Sequence, residues 1–213
     1  MPLYTTEALI LRSYQLGESD RIVVFLTRDR GKKRGVAKNA RQSRRRFGGA
    51  LEPLTCGRIA YVERERRDLV RVDYVEPTRS PLSAVDGEAL SYVGYFAELL
   101  DEWAQEADPN EPLFRLGTST VEAIALGVPI QRLARYFEYW LLRLQGVYEP
   151  DHRLSDEAKA FLTASRTCSP FRLGGLSVSA AALREIEASH RATIAMHLEK
   201  DLRSARVLRE MSR

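Results

Sequence analysis

The sequence predicts a multidomain α+β protein in which a five-stranded β-barrel is followed by an all-α helical bundle. Short runs of β-branched and aliphatic residues recur through the first third of the chain, at the spacing of short strands. From Gly87 onward, apolar residues recur at the spacing of helices. Pro77 and Pro81 lie between the two patterns, so we expect a barrel domain at residues 1–79 and a helical domain at residues 80–213.

Five stretches have the composition of β-strands. They are, in chain order, Thr5–Tyr14, Arg21–Thr27, the weaker Lys33–Ala37, Arg58–Glu63 and Leu69–Val75. In the last stretch, Val70, Val72 and Tyr74 alternate with a mixed set of residues, which predicts that these three side chains share one apolar face. The last two stretches are joined by a charged segment and predict a hairpin. Five strands in so short a segment are typical of a small closed barrel of the OB type.

Helical periodicity begins after Pro81. In the segment Gly87–Glu106, apolar residues return every three or four positions, as on one face of an amphipathic helix. The segment Ile130–Gln145 is apolar around much of its circumference, which predicts the central buried helix, and Gly146 is a typical C-terminal stop. Further helices are expected at Pro112–Leu126, from Ser155, and from Ser179 to about Met211 with an interruption near His197–Asp201.

The net charge of +4 conceals an uneven distribution along the chain. Residues 1–80 hold 18 Lys and Arg against 10 Asp and Glu, whereas residues 81–213 hold 15 against 19. Such a split indicates that the basic part faces a polyanion. There is no apolar run near the roughly 20 residues that cross a membrane, and no recognisable signal peptide. Because Cys56 and Cys168 are the only cysteines, we expect a cytoplasmic protein without membrane contact.

The sequence lacks the common signatures of catalysis and metal binding. It contains no GxxxxGK[ST], no GxGxxG and no GxSxG. His152, His190 and His197 are too widely spaced for ordinary chelation, and we expect them at the surface or at the edge of the core. The sequence therefore predicts no catalytic residue, no metal, no cofactor and no enzyme activity.

The most distinctive feature is the segment Gly31–Gly49, which holds eight Lys and Arg residues and no acidic residue. Cations that neutralise phosphates release condensed counterions, which gives affinity for nucleic acid without any reading of bases. A solvated surface that binds nothing and a contact with anionic lipid are the alternatives. The candidate DNA-binding residues are Lys32, Lys33, Arg34, Lys38, Arg41, Arg44, Arg45 and Arg46.

Aromatic residues near this segment are candidates for stacking on unpaired bases. Phe47, Tyr61 and Tyr74 are available, although aromatic strand residues usually pack inward, and we favour a barrel-core position for each. Among the three, Phe47 is the best candidate for base stacking because it is flanked by Arg46 and Gly48.

Five short motifs follow one another in the N-terminal part, between Leu9 and Pro53: LILRS, GESD, LTRDRGK, VAKNAR and FGGALEP. In this order they resemble the motifs of the RecO family of bacterial recombination-mediator proteins. Near the C-terminus, HLEKDLRSARVLREM is similar to the last helices of the family. Lys32, Lys38 and Arg41 stand where the family motif has basic residues, and the other five candidates are included on charge alone.

The resemblance implies a DNA repair and homologous recombination protein that is not an enzyme. Members of the family bind single- and double-stranded DNA and anneal complementary strands. With their partner RecR they help load the recombinase RecA onto single-stranded DNA that is coated by SSB. The acidic and apolar C-terminal tail of SSB is a further expected partner, which implies a basic and apolar pocket in the helical part. The resemblance also implies a cytoplasmic, nucleoid-associated bacterial protein.

One departure from the family pattern concerns metal. Many members carry two zinc-binding CxxC pairs after the segment that here reads GVYEPDHRL, whereas this chain has no CxxC, so we expect no zinc. Two other hypotheses for the function remain open. One is an OB-fold RNA-binding or assembly module with a protein-docking helical domain, which strand annealing would separate from a recombination mediator. The other is an unrecognised nuclease, which metal-dependent degradation of DNA would support.

Overall fold

The computed structural model describes residues 2–43, 45–63, 68–83, 87–200 and 202–211. Five strands come first: β1 (Leu3–Leu16), β2 (Asp20–Thr27), β3 (Gly31–Ala37), β4 (Cys56–Val62) and β5 (Val70–Arg79). In the described part, six α-helices follow: α1 (Gly87–Trp103), α2 (Glu111–Ala125), α3 (Ile130–Leu144), α4 (Asp156–Ser165), α5 (Ala180–Leu198) and α6 (Arg203–Met211). Short 3-10 helices lie at Pro81–Ser83 and Pro170–Gly175. In these ranges, no helix is both long and apolar enough to cross a lipid bilayer.

The five strands close into a barrel in the order β1-β2-β3-β5-β4. Neighbouring strands are antiparallel except β3 and β5, which run parallel where Gly35 pairs with Val70 and Ala37 pairs with Val72. The α+β fold with a five-stranded barrel of the OB type, followed by helices, is therefore confirmed.

Residues of strands β1 and β2 alternate between the barrel interior and the helices. Ile10 and Val23 lie in the barrel core, whereas Leu9 and Leu26 belong to the core of the helical bundle. Because strand residues point alternately to the two faces of a sheet, these two strands contribute to both cores. The division into domains at residues 79 and 80 stays a prediction, since the barrel and the helices share this apolar contact.

Helix α3 is largely buried, as predicted, but it also carries two buried charged residues. The Arg135 guanidinium lies 3.1 Å from the Glu138 carboxylate and 3.0 Å from that of Glu187. Glu138 also accepts a hydrogen bond from the Tyr95 hydroxyl at 2.8 Å and lies 3.2 Å from Nδ1 of His190. One polar cluster therefore joins helices α1, α3 and α5.

The charge state of this cluster follows from burial and from its own carboxylates. Burial by itself lowers the pKa of Arg135, but the carboxylates of Glu138 and Glu187 outweigh that effect and raise it. Burial, together with Glu138, holds the pKa of Tyr95 well above its usual range. His190 is 3% exposed, so the expectation of a surface or core-edge position is wrong for this histidine. The carboxylate of Glu138 gives the ring nitrogen Nδ1 of His190 a partner inside the core.

A β-bulge in β5 reverses the predicted orientation of an aromatic residue. Opposite Ala60 and Tyr61 of β4, strand β5 presents Tyr74 and Val72, so Asp73 is an extra residue. An extra residue shifts the alternation of side chains by one position beyond it. Tyr74 is consequently 40% exposed, and the prediction that it shares the apolar face of Val72 is wrong.

The start of β3 is docked on the connection between α1 and α2. Lys32 donates its backbone N–H to the carbonyl of Gln105 at 3.1 Å, and Ala107 donates to the carbonyl of Lys32 at 3.1 Å. Gly31 has a φ of +67°, and a Cβ at this position would lie 2.4 Å from the backbone of Asp108. Glycine satisfies both the left-handed conformation and the close approach of the two backbones.

Replacing Gly31 with Ala is expected to lower the free energy of unfolding by at least about 1 kcal/mol. A left-handed residue that carries a Cβ costs roughly 1–2 kcal/mol, and overlap with the α1–α2 connection adds to this. Chemical denaturation measures the change. The control is Gly49→Ala, which has open space around its Cβ position and is expected to change stability by less than about 0.5 kcal/mol. Equal losses for the two variants would contradict the role of Gly31 in docking.

Candidate nucleic-acid interface

The eight basic residues of the sequence prediction divide between strand β3 and the loop that follows it. Lys32, Lys33 and Arg34 lie in the first half of β3, and the remaining five lie in the connection from β3 to β4. Since a strand rises about 3.3 Å per residue, the Cα atoms of Lys32 and Lys38 are roughly 20 Å apart. The run of positive charge is therefore not one compact patch.

Lys32 links the barrel to the helical bundle. Its ammonium group lies 3.3 Å from the carboxylate of Asp101 in α1 and also donates to the backbone carbonyl of that residue. Arg12 of β1 approaches the same carboxylate at 3.0 Å. The Lys32 side chain is only 14% exposed, so its charge is largely neutralised within the protein.

Lys33 and Arg34 also have partners within the barrel. The ammonium group of Lys33 lies 2.8 Å from the carboxylate of Glu63, just after β4, and its side chain is 18% exposed. Arg34 is exposed and donates from Nη2 to the Tyr14 hydroxyl at 3.0 Å, a bond that raises the pKa of Arg34. These contacts favour structural roles for Lys32 and Lys33, and DNA contact by any of the three stays a prediction.

The loop after β3 is held against the barrel on two sides. Arg41 donates its backbone N–H to the carbonyl of Ser19, in the turn between β1 and β2, at 3.2 Å. On the other side, Val75 of β5 donates its backbone N–H to the carbonyl of Arg46 at 3.1 Å. The loop is therefore anchored both to the β1–β2 turn and to β5.

The basic side chains of this loop are the most available of the set. Lys38, Arg41 and Arg45 are exposed, and Arg46 is half-buried. In the part of the chain that the structure describes, none of these four forms an ion pair with a carboxylate. Arg46 donates to the backbone carbonyl of Lys38 at 2.8 Å and Arg41 to that of Glu18 at 3.0 Å, so both also shape the loop. Arg44 lies outside the described residues, and its assignment stays a prediction.

Phe47, the candidate for base stacking, is buried inside the barrel. It is 1% exposed and packs in the barrel core together with Ala50 and Leu51 of the same loop. The loop contributes these apolar side chains to the barrel core, which leaves the Phe47 ring no face open to a base. The assignment of base stacking to Phe47 is therefore corrected. Tyr61 is also fully buried, whereas Tyr74 is exposed.

The helical bundle contains a cavity of about 270 Å³ that the sequence analysis did not locate. Its lining combines apolar Ile194, Leu202 and Leu208 with the cations Arg191 and Lys200, and the buried polar cluster of α3 contributes to the same wall. Both cations are exposed, but Lys200 is ion-paired with Glu102 at 2.5 Å, which leaves Arg191 as the more available of the two. Such a combination suits a peptide that carries both acidic and apolar residues.

Within the described ranges, no group of three or more His, Cys, Asp or Glu side chains lies close enough together to hold a metal ion. The expectation that the chain binds no zinc stays a prediction.

The contacts of Lys32 and Lys38 predict that the same substitution, Lys to Ala, lowers stability at one position and barely changes it at the other. Lys32→Ala is expected to lower the free energy of unfolding by about 1–2 kcal/mol, because it removes charge-assisted bonds in a mostly buried setting. Lys38→Ala is expected to change it by less than about 0.5 kcal/mol. Urea denaturation measures both values. If Lys38→Ala is the more destabilising variant, the division of the basic residues into structural and available ones is wrong.

Two family descriptions match successive parts of the chain. Recombination protein O N terminal matches residues 1–81, which include the barrel, and Recombination protein O C terminal matches residues 84–153. Together they cover the barrel and helices α1 to α3.

Curated relatives named DNA repair protein RecO are similar over the same part of the chain. The protein from Koribacter versatilis is 43% identical over 150 residues, which are 70% of this chain and 61% of the relative. That from Anaeromyxobacter sp. strain K is 40% identical over 141 residues, 65% of this chain and 55% of the relative. That from Geobacter metallireducens is 39% identical over 163 residues, 76% of this chain and 66% of the relative. The match thus spans less than two thirds of each relative's length. Because the two family descriptions together match residues 1–81 and 84–153, and relatives of 39–43% identity bear the RecO name, the chain belongs to the RecO family.

Proposed function

We propose that this chain acts in DNA repair and homologous recombination and binds DNA, without regard to its sequence, through the loop after β3. The observation that carries the proposal is the set of exposed cations on that loop. Lys38, Arg41 and Arg45 have no carboxylate partner among the described residues. Phosphates of single or double strands that bind there would release condensed counterions, which favours binding without base reading.

The same surface would anneal complementary strands. Two single strands repel each other through their phosphates, and a basic surface neutralises part of that repulsion while raising the local concentration of both strands. Contacts with phosphates carry no sequence information, so the strands remain free to search for the correct register. Annealing makes and breaks no covalent bond, and the proposed activity is accordingly not that of an enzyme.

We further propose RecR, SSB and RecA as partners. The acidic and apolar C-terminal tail of SSB would dock in the cavity of the bundle, where Arg191 would meet its carboxylates and Ile194 its apolar side chains. With RecR, the protein would help RecA to replace SSB on single-stranded DNA. This activity would place the protein in the cytoplasm, at the nucleoid.

Combining Lys38→Ala, Arg41→Ala and Arg45→Ala is expected to weaken binding to a labelled single strand. The slope of log Kobs against log salt concentration should become shallower by up to about 2, since each lost phosphate contact contributes roughly 0.7. Fluorescence anisotropy across a salt series gives both quantities. Arg44 is left intact because it lies outside the described residues. Arg46 is left intact because it is half-buried and bonds two groups of the loop, the Lys38 carbonyl and the Ser43 hydroxyl.

The matched control for this variant combines Arg115→Ala, Arg172→Ala and Arg184→Ala. These three exposed cations lie in the helical part, and their removal changes the net charge by the same amount. The slope of the control is expected to stay at the native value. A control slope that falls as much as that of the loop variant would contradict a binding site on the loop. Equal binding of RNA without faster annealing of complementary DNA strands would support the RNA-binding or assembly alternative.

Replacing Arg191 with Glu is expected to weaken binding of a labelled synthetic peptide that has acidic residues followed by an apolar C-terminus. The variant would lose a charge-assisted bond between Arg191 and a peptide carboxylate, and the new Glu would repel that carboxylate. The Kd should therefore rise by roughly tenfold or more. Anisotropy measures the Kd, and Arg172→Glu, outside the cavity lining, serves as the control. If both variants bind the peptide as the native chain does, the tail does not dock in this cavity.

A further inference from the structure

Tyr74 is an exposed aromatic residue that the packing of the fold does not account for. It is 40% exposed on β5. With the described residues, its hydroxyl forms no hydrogen bond and its ring forms no aromatic or cation–π pair. The Tyr74 ring is therefore available to a ligand that can stack on it.

Tyr74 lies at the edge of the loop after β3. The next residue, Val75, donates its backbone N–H to the carbonyl of Arg46 at 3.1 Å, so the loop contacts β5 one residue away from Tyr74. Arg45, which precedes Arg46, is exposed and forms no ion pair with a carboxylate of the described residues. An exposed aromatic residue and an exposed cation thus flank the same backbone contact.

The charges on β5 around Tyr74 are compatible with an anionic ligand. The carboxylate of Asp73 lies 2.9 Å from the Arg71 guanidinium, which neutralises the nearest acidic residue. The backbone of the exposed Glu76, two positions further on, is in register with that of the exposed Arg58 on β4. A basic residue therefore lies across the sheet from this second acidic residue.

The β-bulge is what turns Tyr74 outward. Without the extra residue Asp73, the alternation of β5 would place Tyr74 on the inner face with Val72. Directly opposite Tyr74 on β4 is Ala60, whose side chain is small and buried, so its direct cross-strand neighbour is too small to cover the ring. Bulges that re-aim a side chain are common next to functional sites.

We propose that Tyr74 stacks on an unpaired base of a single strand whose phosphates are held by the loop after β3. This inference rests on the proposed binding of DNA by that loop. Every base has a π-face, so a tyrosine ring adds affinity without selecting a sequence. In a duplex the bases stack on one another, and the ring gains nothing. Tyr74 therefore favours single strands over duplex, whereas the loop cations bind both.

The test compares the native protein with Tyr74→Ala, Tyr74→Leu and Tyr74→Phe on three ligands of equal length. The ligands are a single strand, a duplex, and an abasic single strand that has phosphates but no bases. Loss of the ring in the Ala and Leu variants is expected to weaken binding of the single strand about tenfold. Their binding of the duplex and of the abasic strand should stay within about twofold, with an unchanged salt slope. Tyr74→Phe should bind all three ligands as the native protein does.

The pattern of results separates failure of this inference from failure of the proposed function. Native protein that binds neither single strand nor duplex in a salt-dependent manner would overturn the proposed function itself. Native protein that binds both, together with a Tyr74→Leu variant that binds the single strand equally well, would overturn the stacking role alone. Equal losses on the single strand and the abasic strand would also overturn it, because the loss would then not involve a base. Tyr74→Leu keeps an apolar side chain at this position, so folding is maintained even if Tyr74→Ala is unstable.

Discussion

The docking of strand β3 on the helices is the constraint on which the position of the loop after β3 depends. The first residues of β3 are hydrogen-bonded to the connection between α1 and α2, and Lys32 and Arg12 share the carboxylate of Asp101. At its other end, strand β3 continues into the basic loop, which is the connection from β3 to β4 that carries Lys38, Arg41 and Arg45. Because a paired strand is stiff, the orientation of that loop relative to the bundle depends on these contacts and on the close approach that Gly31 permits.

The basic segment shows how one run of like charges divides into two kinds of residue. Where β3 faces carboxylates, as at Lys32 and Lys33, the charge is neutralised at short range in a partly buried setting. A neutralised cation attracts a phosphate only weakly, since the carboxylate repels it at nearly the same distance. In the loop, where Lys38 and Arg45 face water, the charge remains available to a ligand.

The polar cluster in the bundle has a different consequence. Arg135 and Glu138 are almost completely buried, and such charges are tolerated only when each has partners. Removing one partner would leave an uncompensated charge in the core, which is strongly destabilising. Since the cluster joins α1, α3 and α5 and contributes to the cavity wall, it ties together three of the helices that line that cavity.

Much of the fold could be predicted because its signals are local. Strand and helix order follows from the spacing of apolar residues, and the helix end at Gly146 and the N-cap at Ser155 depend on neighbouring residues alone. The concentration of charge in the basic segment is likewise a property of composition. These are the parts of the structure that required no knowledge of distant contacts.

The individual site residues could not be predicted in the same way, because their environments are made by residues far apart in the chain. Asp101 decides the role of Lys32, and the barrel core decides the burial of Phe47. A single extra residue opposite β4 decides the exposure of Tyr74. The sequence by itself determined the barrel, the helices and the presence of a basic loop, since local periodicity and charge specify them. The tertiary structure decided which cations and which aromatic ring remain available, because availability depends on the partners that folding brings together.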